Sequence, residues 1–169
     1  MQPRFVQLDS IKIAGYLHKT SMSNNTIPAF WQEITSDGRH QKLYEAACTE
    51  GHNDYGFCVM TSEDDMDYYI GRKVVSGADV PNEFCTVTIP AGEYAVFTVP
   101  PFPMEQPTDG ISETWGAAYD WLMSSDYSTD GSSSFELYFA NCSCTEGTTC
   151  ESCATGNMEC DIYVKVDKK

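Results

Sequence analysis

Along the first half of the chain the spacing of apolar positions changes character twice. Between Phe5 and Tyr16, Val6, Leu8, Ile11 and Ile13 punctuate a polar run, which predicts an extended segment. Ile27, Phe30, Trp31 and Ile34 then recur at intervals of three and four, the spacing of one helical face. Asn24-Asn25-Thr26 offers capping side chains just before them, and Pro28 suits a first helical turn. Gly38 predicts a break, with helix resuming from Gln41 to Ala47. Tyr55 to Thr61 and Asp67 to Val75 read as two strands joined by the acidic turn Ser62-Glu63-Asp64-Asp65.

The second half repeats the pattern after a loop at Ser76-Gly77-Ala78-Asp79-Val80-Pro81. Phe84 to Ile89 and Glu93 to Val99 are extended, with Pro90-Ala91-Gly92 between them. Four prolines (Pro100, Pro101, Pro103, Pro107) lead to a helix from about Asp109 to Ser124, striped by Ile111, Trp115, Ala118 and Leu122. Strands at Phe135 to Phe139 and Asp161 to Val166 close this half. The expectation is an α+β fold in one domain over residues 1–169. Two pseudo-symmetric β-α-β-β units, about 4–76 and about 83–167, form an eight-stranded antiparallel sheet with a ligand cleft at its centre.

One strand carries a chemical anomaly. In Phe135-Glu136-Leu137-Tyr138-Phe139, alternation puts Glu136 and Tyr138 on the face opposite the three apolar residues. A carboxylate among aromatics is costly to bury unless a cation or hydrogen-bond donors answer it. Glu136 is therefore the candidate floor of a binding site, with Tyr138, Tyr94, Tyr68, Tyr69 and Trp121 as candidate walls. Trp31 and Trp115 lie on helical apolar stripes and are expected to serve packing. His18, His40 and His52 share no metal or catalytic spacing and are expected to be ordinary satisfied residues.

Bulk charge narrows the ligand class. Ten Lys and Arg against 25 Asp and Glu give a net charge of −15, which repels phosphate backbones and attracts cations. Direct nucleic-acid binding is not expected. No apolar run is long enough to span a bilayer, and the first residues lack a signal pattern, so the expected location is cytoplasmic.

In this order Ile89 to Phe97, Ile111 through Trp115 to Tyr119-Asp120-Trp121-Leu122, Ser125-Asp126-Tyr127 and Phe135-Glu136-Leu137-Tyr138 resemble the gyrase-inhibitor-like (GyrI-like) family, also called AraC-type effector-binding domains. In the first half, Ala14-Gly15, Ile27 with Trp31, Tyr55-Gly56 and Tyr68-Tyr69-Ile70-Gly71 are similar to residues usual there. The resemblance spans Phe5 to Val166. It implies two β-α-β-β units around a cleft that takes amphipathic, often cationic aromatic compounds, with Glu136 at its floor. Relatives often join this domain to a DNA-reading helix-turn-helix. No such reader is expected within these 169 residues, so a regulatory role would call for a partner protein.

The chain departs from the family pattern between Tyr138 and Asp161, where a cysteine-rich insertion (about 141–160) stands. Cys142, Cys144, Cys150 and Cys153 offer four thiolates within twelve residues, a set suited to a structural zinc ion, to Cu(I) or to a redox loop. No cofactor is otherwise required. Three functions follow as expectations: a stand-alone binder of amphipathic, cationic aromatic compounds in sensing or sequestration; a hydrolase of electrophilic small molecules using Glu136 with Tyr94 or Tyr138; or a module that docks on a partner such as a gyrase through the cysteine loop.

Overall fold

The computed structural model describes residues 1–103, 108–131, 133–139 and 157–169. Among these residues ten strands and three helices run in the order β1 (Arg4–Leu8), β2 (Ile11–Ser21), α1 (Ile27–Ser36), α2 (Arg39–Glu45), β3 (Asp54–Met60), β4 (Asp65–Lys73), β5 (Cys85–Ile89), β6 (Gly92–Pro103), α3 (Thr108–Ser124), β7 (Tyr127–Ser128), β8 (Ser134–Phe139), β9 (Asn157–Lys165) and β10 (Asp167–Lys168). Eight of the strands form one antiparallel sheet in the order β1-β6-β9-β8-β3-β4-β2-β5, and β7 pairs with β10 apart from it. This is the expected α+β architecture.

The strand order reads as two mirrored halves meeting between β8 and β3. The single extended run expected over Phe5 to Tyr16 is instead two strands, broken at Asp9-Ser10. β1 leaves its own half to pair with β6, with Phe5 opposite Ala95 and Leu8 opposite Gly92. β5 does the reciprocal thing, pairing Ile89 with Ile11 of β2. Each half is thus β-β-α-β-β, with its first strand lent to the margin of the other.

That exchange dictates the curvature. In a flat sheet, the six strand spacings between β1 and β2 would span about 29 Å. The chain from Leu8 to Ile11 reaches only about 11 Å. The sheet must therefore curl until its margins approach. Its inner face carries Ile13, Tyr55, Phe57, Ile89, Tyr94, Val96, Phe135 and Tyr163, drawn from strands on both sides of the centre and packed as one cluster.

Helices cover the outer face. Phe30 and Ile34 of α1 pack on Tyr68 and Ile70 of β4. Ala118 and Leu122 of α3 pack against Ala95, Phe97 and Val99 of β6. Leu43 of α2 joins Ala14, Val74 and Phe84 in a smaller cluster. Gly38, with φ 87°, takes the left-handed turn that separates α1 from α2, a conformation that other residues adopt at a cost. Thr26, the N-cap of α1, makes no side-chain capping bond; Asn25, the residue before it, accepts the Ile27 N–H on its Oδ1 at 2.9 Å.

Prolines shape the end of β6. Its register against β9 shifts between Val99 and Phe102, where Pro100 and Pro101 have no N–H to give. β1 pairs β6 only as far as Val96, so these prolines interrupt one ladder and not two.

Candidate functional site

Glu136 lies in β8, on the outer face, beneath the two long helices. Its residue is 8% exposed. Oε1 accepts the Trp115 indole N–H from α3 at 2.8 Å. Oε2 accepts two phenolic hydroxyls, Tyr68 of β4 at 2.8 Å and Tyr138 of β8 at 2.7 Å. Tyr68 is itself positioned from behind, because the Trp31 indole of α1 donates to its hydroxyl oxygen at 3.1 Å. The Trp31 ring also meets the Tyr138 ring edge-on at 4.9 Å. Four aromatic side chains from four elements thus converge on one carboxylate.

All of these donors are neutral. Burial first, and the neighbouring Glu136 charge second, raise the Tyr68 and Tyr138 hydroxyls well above the usual phenol range, so both keep their protons at physiological pH. The Cys58 thiol, on β3, is pushed up to about 11 by burial and then by Glu136. None of the ion pairs among the described residues includes Glu136. Hydrogen bonds answer the carboxylate's polarity, and no cation among the described residues answers its charge.

The site depends on a missing side chain. Gly56 of β3 is the ladder partner of Glu136, at the junction of the two halves. A Cβ on Gly56 would fall 2.1 Å from the Tyr68 Oη and 2.9 Å from the Glu136 Oε2. One half contributes the carboxylate here, and the other contributes the space for it.

The expected wall residues divide between the two faces. Tyr138 and Tyr68 join Glu136. Tyr94 does not: it lies on the inner face, packs against Phe135 and Tyr163, and donates its hydroxyl to the Pro90 carbonyl at 2.8 Å. Tyr69, next to Tyr68 in the strand, points to the inner face and packs beside Phe57. Trp121 packs against Phe97, Phe5 and Tyr127, away from the carboxylate.

Trp31 and Trp115, expected only as packing, bring hydrogen-bond donors to the network. The signal was present in the sequence: each helix carries Ile-x-x-x-Trp, Ile27 with Trp31 and Ile111 with Trp115, and a buried indole needs an acceptor. Cys142, Cys144, Cys150 and Cys153 lie outside the described residues. Among the described residues, no group of three or more His, Cys, Asp or Glu could hold a metal ion.

A second polar network lies behind the first. Arg72 of β4 is 1% exposed, and its guanidinium donates to the carbonyls of Gly51 and Tyr44 and stacks 4.4 Å over the Tyr44 ring. Its Nε stands 3.7 Å from Asp54 Oδ1, while Asp54 Oδ2 meets His40 Nε2 at 2.8 Å. Asp54 raises the His40 pKa above its ordinary value, chiefly through this hydrogen bond and against the cost of burial. Asp54 is the ladder partner of Tyr138, and the His40 ring lies 6.5 Å from the Trp31 ring, so the two networks adjoin.

SAV2435, whose structure was solved bound to tetraphenylphosphonium, aligns with a TM-score of 0.75 at 17% identity, covering 99% of this chain and 94% of that one. A putative transcription regulation protein from Staphylococcus aureus aligns at 0.69 and 15% identity, covering 99% of each chain. An integron cassette protein from Vibrio cholerae aligns at 0.65 and 11% identity, covering 98% of this chain and 96% of that one. At such identities these likenesses establish the fold. No curated protein matches the chain. The sequence pattern of the Cass2 family, described as integron-associated effector binding proteins, matches residues 4–166. The chain belongs to that GyrI-like family of effector-binding proteins.

Proposed function

We propose that this chain binds bulky organic cations bearing aromatic groups, with Glu136 as the counter-charge and Trp31, Tyr68, Trp115 and Tyr138 as the walls. The observation that carries this reading is a buried carboxylate with three hydrogen-bond donors and no cationic partner among the described residues. A unit positive charge 4–5 Å from it gains about 3 to 4 kcal/mol at an effective dielectric near 20. Each aromatic face adds roughly 0.5 to 2 kcal/mol of cation–π attraction once desolvated. The tetraphenylphosphonium held by SAV2435 is a cation of this class.

Binding is favoured over hydrolysis by the same hydrogen bonds. A carboxylate offers about four acceptor directions, and Tyr68, Tyr138 and Trp115 take three of them. A general base needs a free oxygen aimed at the attacking water. A sensing or sequestering role accords with these features, and the net charge of −15 weighs against direct contact with nucleic acid.

Calorimetric titration with tetraphenylphosphonium tests the reading. Saturable binding by the parent is expected, weakened about 100-fold in Glu136→Gln, the equivalent of about 3 kcal/mol. Equal affinity in parent and variant would refute the role of the charge. Steady release of product from an electrophilic aromatic substrate would refute the preference for binding.

A further inference from the structure

The carboxylate is closed over in this structure, so a ligand must reach it through its walls. Of those walls, Trp115 leads outward. Its ring is only partly buried, and one turn along α3 it is stacked by Tyr119, with ring centres 6.0 Å apart and planes 28° from parallel. Tyr119 is 51% exposed, and Met123, one turn further along α3, is 86% exposed, so this side of the helix stands open to solvent. The other half-exposed aromatics have different partners: Phe5 packs on Trp121 and Tyr127, and Tyr44 lies against Arg72 and His52. Burial first, and the Cys58 sulfur second, raise the Tyr119 hydroxyl above the usual phenol range. The exposed Tyr119 ring stacks on Trp115, and Trp115 hydrogen-bonds Glu136, so the pair links the surface of α3 to the buried carboxylate.

We propose that the Trp115–Tyr119 pair is a stacking platform on which an incoming aromatic ring is received, making Tyr119 the residue that selects aryl-bearing cations over alkyl cations of the same charge. This rests on the reading of Glu136 as the cation's counter-charge, and adds the element that chooses among cations. Glu136 acts on every monocation alike and the ring faces attract any cation, whereas the ring stacked on Trp115 adds an aromatic-pair attraction that aryl groups receive and alkyl groups do not. Tyr119 has no hydrogen-bond role in the carboxylate network, so its substitution leaves that network's donors in place.

The discriminating experiment titrates tetraphenylphosphonium and tetrabutylphosphonium into parent, Tyr119→Ala, Tyr119→Phe and Glu136→Gln proteins, with thermal melting to verify folding. Tyr119→Ala is expected to weaken tetraphenylphosphonium roughly three- to tenfold, the worth of one aromatic pair, and to leave tetrabutylphosphonium within about twofold. Tyr119→Phe is expected to keep the parent's preference. If Tyr119→Ala weakens both cations equally, or neither, the platform is overturned while the counter-charge stands. If Glu136→Gln changes nothing but Tyr119→Ala still discriminates, the counter-charge is overturned and the platform stands. A parent that binds neither cation overturns both.

Discussion

Gly56 and Glu136 face one another across the central pair of strands, and the absence of a side chain on the first makes room for the hydrogen bonds of the second. Gly56→Ala places a carbon 2.1 Å from the Tyr68 hydroxyl, within a layer that has nowhere to shift it. We expect the variant to lose about 1 to 3 kcal/mol of stability, as overpacking does, measured by chemical denaturation. An unchanged midpoint would mean that Tyr68 is not held where it lies. Trp115→Phe keeps an aromatic ring, though a smaller one, and removes the donor to Oε1, and should cost about 1 to 3 kcal/mol by leaving that oxygen unanswered. Alternation in the sequence was enough to pair Glu136 with Tyr138 and to set both apart from Phe135. It could not place Tyr94, because which face a tyrosine takes relative to Glu136 depends on the register of β6 against β9 and of β9 against β8. Two tryptophans read as packing residues turned out to do that and to donate hydrogen bonds as well, since periodicity reports a helix face and is blind to the direction of an indole N–H.

The helices and strands differ in how plainly the chain announces them. α1, α3 and the central strands follow from spacing alone, and Gly38 marks the break between α1 and α2. The exchange of β1 and β5 between the halves was not legible, because a run that continues as extended chain gives no sign that it changes partner. α2 has its own electrostatic tether, His40 on Asp54, with Arg72 facing the same carboxylate from β4 and the uncharged Trp31 ring adjoining from α1. On α2 itself, Arg39 is engaged with Glu33 and Asp37, and Lys42 with Glu83. The tether raises the folded-state pKa of His40 above the unfolded value of 6.5. Its contribution to stability is therefore complete below pH 6.5 and fades as pH rises through the folded value. The stability difference between parent and His40→Ala should be larger at pH 5.5 than at pH 8.5, as read by denaturation at each pH. A difference that grows with pH would reverse the assignment.

Taken whole, the molecule is a curled sheet whose inner face is filled by its own aromatics and whose outer face holds the buried carboxylate of Glu136 between two helices. A net charge of −15 surrounds that site. Its field should speed the arrival of cations, and because screening shortens from roughly 30 Å at 0.01 M salt to roughly 8 Å at 0.15 M, association should slow over that range in stopped-flow traces. Dissociation, governed by the buried contacts, should change little. An association rate indifferent to salt would leave the overall charge without a part in recruitment. The central claim is that charge, and not merely aromatic shape, decides what this site accepts. Tetraphenylphosphonium and tetraphenylborate are close in size and shape and opposite in charge, so their relative affinity isolates that term. The parent should bind the cation and reject the anion, with Glu136→Gln narrowing the gap; comparable binding of both ions by the parent would contradict the account.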